Sequence, residues 1–123
     1  MTQHTLGERD FLAHMLDAVG QIQTYAQGKQ AADFLSDRYL QDAVIRNIEV
    51  LGEASRNLLD RVPNAATRFP GIPFAAIYGM RNHLSHGYFS INLDAVWIAI
   101  EQDIPNLRKE LEAALAMLNQ SSA

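Results

Sequence analysis

The chain contains no cysteine, which excludes disulfide bridges and thiolate metal sites. No apolar run approaches the roughly 20 residues that span a bilayer. The first residues, MTQHTLGERDFLAHML, lack the basic start and apolar stretch of a secretory signal. The expectation is a cytoplasmic protein with no membrane attachment. Alternation of apolar and polar residues at period two never runs long enough for a sheet, and internal repeats and low-complexity tracts are absent. Acidic residues are missing from one long segment: from Arg61 to Leu93 there are three Arg and no Asp or Glu. The net charge of the chain is −4, so this segment carries +3 and the remainder −7. An acidic protein is a poor general nucleic-acid binder. A local positive field is nevertheless enough to hold a phosphate.

What is present reads as helix. The chain has 123 residues, 48% hydrophobic and 20% charged. That suits one domain, residues 1–123, able to bury a core without staples. In residues 8–27 the apolar positions Phe11, Leu12, Met15, Val19, Ile22 and Ala26 follow helical spacing, and Gly28 marks a stop. Residues 29–35 read as a connector or a short helical turn. Ser36 or Asp37 is placed to cap a second helix reaching about Arg61, with Leu40, Val44, Ile48, Leu51, Ser55, Leu58 and Leu59 on one face. VPNAATRFPGIP is read as a loop. Pro73 suits the first turn of a third helix that runs to about His86, near Gly87. Asn92 is placed to cap a fourth, which Pro105 should kink or break near Asp103. The final NQSSA is expected to fray. The architecture expected is an all-α, up-and-down four-helix bundle with short extra helical turns.

The third helix ends in GMRNHLSHGYF, residues 79–89, which places Arg81, His83, His86 and Tyr88 within eight residues. Arg81 and His86 are five residues apart, about 140° of rotation and about 7.5 Å of rise on a regular helix. They converge only if the helix end loosens or if a two-fold dimer brings two copies of the motif into one cleft. Without further context, an Arg and a His at this spacing describe equally a helix terminus with a His beside its carbonyl end. His83 and His86 have a spacing that can share a metal, but no third ligand stands near them, and no metal or other cofactor is expected. His14 reads as a packed or boundary residue. Arg46, Glu49, Glu53 and Arg56 read as a solvated, ion-paired face; the alternative is that Asn47 or Glu53 lines a cleft opposite Arg81. Val96, Trp97 and Ile100 read as core or dimer contacts.

Arg81, four residues, His86, one residue and Tyr88 form Arg-x4-His-x-Tyr, with GMRN, HGYF, Asp94 and Trp97 around it. In this setting the sequence resembles the HepT-like ribonuclease toxins of the HEPN superfamily. The likeness takes in QDAVIRNIEVLGEA, residues 41–54, and FPGIPFAAIYGMRNHLSHGYFSINLDAVW, residues 69–97, and extends from about Glu8 to Leu118. It implies a bundle of HEPN type and a metal-independent endoribonuclease, the toxin of a type VII toxin–antitoxin pair. It also implies a homodimer with the cleft at its interface, able to enter a larger hetero-oligomer. The implied partner is a small nucleotidyltransferase antitoxin. By position, Arg81 and His86 correspond to the catalytic pair, Asn82 to the supporting polar residue and Tyr88 to the tyrosine that the partner nucleotidylylates. His83 falls at a variable position. The chemistry suits the residue types. RNA carries its own nucleophile in the 2′-OH, imidazole exchanges protons near neutrality, and a guanidinium holds phosphate with a planar fork. The competing function is a non-catalytic helical module that dimerises and assists a nucleotidyltransferase; the same fold serves both.

Overall fold

A computed structural model describes residues 7–85 and 91–121. Among them lie seven helices and no strand: α1 (Glu8–Ala26), α2 (Ala31–Ser36), α3 (Arg38–Arg61), α4 (Ala65–Arg68), α5 (Phe74–Ser85), α6 (Leu93–Gln102) and α7 (Ile104–Ser121). The bundle is formed by α1, α3, α5 and the consecutive pair α6–α7. α1 packs between α3 and α7, α5 packs on α3, and α6 touches α5. Arg9, at the start of α1, donates to the Leu118 carbonyl near the end of α7, so those helices run antiparallel. Among the described residues no helix is long and apolar enough to cross a membrane.

The helix ends follow local chemistry. Asp10 accepts from the Gly7 amide at 2.9 Å at the head of α1. After Ala26, Gly28 adopts φ 74°, the left-handed conformation that a glycine enters without strain. Asp37 caps α3 by accepting from the Leu40 amide at 3.1 Å, and Asn92 caps α6 by accepting from the Ala95 amide at 3.0 Å. Such caps are worth about 1 kcal/mol each. The expected interruption by Pro105 falls at Asp103. The Asp103 amide still bonds the Ala99 carbonyl, and its own carbonyl starts the ladder of α7. Pro105 has no N–H to continue the α6 ladder, so the chain bends there and resumes.

Two expectations are corrected. VPNAATRFPGIP is not loop throughout: Ala65–Arg68 makes one helical turn, with Ala65 buried. The C-terminal residues Asn119, Gln120 and Ser121 continue α7 rather than leaving it. Upstream, Leu111, Ala114 and Leu118 bury one stripe of that helix against the core, and this packing carries the last turn.

The core is the set of apolar stripes the helical spacing marks. Phe11, Leu12, Met15, Val19 and Ile22 of α1 meet Val44, Ile48, Leu51 and Leu58 of α3. Trp97 is buried and stacks on Phe34 of α2 with ring centroids 5.4 Å apart. Its role is packing, with Val96 and Ile100 buried beside it. α5 is held to the bundle by Ile77 and Met80, each 2% exposed. That anchorage fixes the helix carrying Arg81.

Candidate active site

α5 begins directly after Pro73, whose fixed φ and missing N–H suit a helix start. With Ile77 and Met80 turned inward, the 3.6-residue period turns Tyr78 and Arg81 towards the edge facing α3. There a groove of about 330 Å³ runs between the two helices, lined by Ser55, Leu59, Phe74, Ile77, Tyr78 and Arg81, with Gly52 at the Arg81 end. Tyr78 is 72% exposed on its rim. Arg56, on the α3 side of the groove, pairs with Asp60 at 3.9 Å.

Arg81 is exposed, yet its stem is not loose. It crosses α3 at Gly52. A Cβ built on Gly52 would stand 2.8 Å from the Arg81 Cδ, 3.4 Å from its Cγ and 3.5 Å from its Cβ. The aliphatic part of Arg81 therefore lies against bare backbone. Asn82 is exposed beside it and does not line the groove. His83 is half-buried and stands about 200° round the helix from Arg81, so it does not share that face. His86 and Tyr88 lie outside the described residues.

The other polar candidates fall elsewhere. Glu53 lines a separate groove with His14, Asp17, Val50, Ala54 and Asn57, between α1 and α3. Asn47 donates its side-chain amide to the Ala43 carbonyl at 2.9 Å and lies about 140° round α3 from Gly52. Neither stands opposite Arg81. His14 is exposed rather than packed. Arg46, Glu49, Glu53 and Arg56 are all exposed, as a solvated face should be.

The acid-free segment also looks different once folded. Arg68 reaches Glu8 of α1 at 2.8 Å, the Glu110 carboxylate of α7 lies over Gly71, and Asp60 borders the Arg81 groove. Carboxylates from three helices thus trim the +3 field read along the chain. The groove itself combines apolar side chains with Arg81 at one end and the Arg56–Asp60 pair on the α3 side. Gly52, Asp60, Phe74, Ile77 and Tyr78 are residues of this site that sequence reasoning did not single out. For Gly52 a signal existed: a glycine within the buried phase of a long helix costs stability against alanine and asks for a packing reason.

Comparisons with known proteins identify the family. The family model for ribonuclease HepT-like proteins matches residues 15–114. A Methanocaldococcus jannaschii protein named "Gamma-glutamylcyclotransferase and putative RNase" is 33% identical over 111 residues, 90% of this chain. The chain spans about half the length of that relative, 49%. A Thermococcus cleftensis protein named "Probable ribonuclease HepT" is 35% identical over 105 residues, 85% of this chain and 92% of its own. No solved structure matches the chain. With its helical bundle, its matched span and these relatives, the chain belongs to the HepT-like ribonuclease family.

Proposed function

We propose that this protein is a metal-independent endoribonuclease, the toxin of a toxin–antitoxin pair, using Arg81 and His86. The observation that carries the reading is the exposed Arg81 on a rigidly packed helix, within an Arg-x4-His-x-Tyr motif of a HepT-like ribonuclease chain. In the reaction the RNA 2′-oxygen attacks the adjacent phosphorus and the bond to the next nucleotide's 5′-oxygen breaks. His86 of one protomer takes the 2′-OH proton as base, and the second copy of His86 in the proposed dimer delivers a proton to the departing 5′-oxygen as acid. Arg81 binds the non-bridging oxygens with its fork and stabilises the charge that grows on them. The products are a 2′,3′-cyclic phosphate and a 5′-OH. Every group these steps require is a side chain or belongs to the RNA, so no metal or cofactor is written into them. Asn82, exposed one residue on, supports the same phosphate. The deciding experiment is cleavage of an RNA by the purified protein in EDTA, beside its all-DNA counterpart. Cleaved RNA with intact DNA is the expected result, because DNA lacks the 2′-OH. A requirement for added Zn²⁺ refutes it.

The site is proposed to be complete in a homodimer. Arg81 and His86 are separated by about 140° on a helical path, and a two-fold axis over the α3–α5 groove would place two motifs in one cleft. The exposed Tyr78 and the part-exposed Leu59 beside it are the apolar residues that such a contact would cover. Light scattering should give twice the chain mass at micromolar concentration. A fully active protein that is only monomeric there overturns the shared cleft. The proposed partner is a nucleotidyltransferase antitoxin acting on Tyr88.

A further inference from the structure

We infer that Gly52 is a positioning residue for Arg81: the missing side chain on α3 is the seat across which the Arg81 stem lies, and the seat sets where the guanidinium points. The consequence for cleavage rests on the reading of Arg81 given above; the seat itself does not.

Three observations carry this. First, Gly52 lies inside the 24-residue α3, flanked by helical residues. Its backbone is ordinary helix: among the described glycines, Gly28 alone has positive φ. A glycine there is worse than alanine for the helix, so its reason is space and not conformation. Second, a Cβ at Gly52 would overlap Arg81 Cδ at 2.8 Å, while Cγ at 3.4 Å and Cβ at 3.5 Å are already in contact. Rotation about the Arg81 Cβ–Cγ bond relieves the overlap, and it carries Cδ, Nε and the guanidinium away together. Third, α5 is not free to retreat instead, because Ile77 and Met80 are fully packed in the core. The side chain yields before the helix does. A shift of about 1 Å in a group that orients a reacting phosphate is enough to cost about a hundredfold in rate.

Gly20 of α1 supplies the control. It too is helical, and a Cβ there meets nothing within 4 Å. Gly20→Ala and Gly52→Ala therefore make the same chemical change on two helices, one in open space and one on the seat.

The test uses the full chain as Gly20→Ala, Gly52→Ala, Arg81→Ala and the double variant Gly52→Ala/Arg81→Ala. Thermal melting, RNA cleavage and the Arg81 Nε–Hε NMR resonance, assigned by its loss in Arg81→Ala, are measured for each. Gly20→Ala should match the parent in cleavage and in the Arg81 resonance and melt slightly higher, since alanine suits a helix better than glycine. Gly52→Ala should stay folded, shift the Arg81 resonance and lose about a hundredfold in cleavage. In the Arg81→Ala background it should cost nothing further, because the stem it displaces is gone. An unmoved Arg81 resonance, or an equal added loss in that background, overturns the proposal. So does parental cleavage in Gly52→Ala when Arg81→Ala is inactive. If Arg81→Ala cleaves normally, the catalytic reading of Arg81 fails and the resonance alone decides the seat: shifted upholds it, unshifted overturns it. If Gly52→Ala does not fold, the double variant decides. Recovery of the fold places the clash on the Arg81 stem, and failure to recover overturns the inference.

Discussion

Arg81→Ala and His86→Ala should each reduce RNA cleavage to near background while the bundle stays folded. Arg81 is exposed and its stem lies against Gly52, so its truncation removes the proposed phosphate ligand and leaves the packing of Ile77 and Met80 intact. Loss of a group that meets charge developing in the transition state costs about a hundred- to a thousandfold. Loss of a positioned general acid or base costs about a hundred- to ten-thousandfold. Two features separate this from a general loss of binding. Arg81→Lys should recover only a small part of the activity, because an ammonium is a point charge and cannot present the two parallel donors of a guanidinium. The double variant should be little worse than either single, since base and phosphate clamp act in the same step. The measurement is the initial rate on a defined RNA in EDTA, with circular dichroism to confirm the helices. Activity that survives in both alanine variants rejects the mechanism. If the parent itself is inert on RNA yet stimulates a nucleotidyltransferase, the helical-module function takes its place.

Tyr88→Phe should keep most of the cleavage activity and escape silencing by the antitoxin. The proposed modification joins the Tyr88 phenolic oxygen to the α-phosphorus of ATP. The phenol loses its proton and pyrophosphate leaves. Each transferred AMP unit places a bulky, negatively charged phosphodiester seven residues from Arg81 in the chain. That charge competes with RNA for the guanidinium and repels incoming phosphate, by the same local electrostatics as a phosphorylation switch. Inhibition then needs no change of fold. Intact-protein mass spectrometry after incubation with the nucleotidyltransferase and ATP provides the readout, paired with the cleavage assay. The parent should gain AMP and lose activity; Tyr88→Phe should do neither. An unchanged mass gain in Tyr88→Phe places the modification on another residue.

Most of the bundle could be read along the chain. Apolar residues recurring every three to four positions in α1 and α3 name the buried stripes, because a helix can hide only one side at a time. Asp37, Asn92 and Gly28 mark helix ends through hydrogen bonds and a φ value settled within a few residues. Arg81 stands out by its motif, as the Arg of Arg-x4-His-x-Tyr within an acid-free stretch that holds three Arg. What periodicity could not supply is which helix faces which. Gly52 under Arg81 and Tyr78 on the groove rim depend on α5 packing against α3. Glu53 belongs to the α1 side of α3 because one residue turns a helix by about 100°. The charge of the site is likewise a tertiary quantity. Arg61 to Leu93 carries +3 as sequence, but Coulomb interactions act through space, and the fold brings Glu8, Asp60 and Glu110 to that segment from other helices. The long helices and the motif are thus properties of the sequence alone, whereas the α4 turn and the last turn of α7 emerged only in the packed structure. The seat of Arg81, the groove and its field exist only after packing, because each is made by residues distant in the chain.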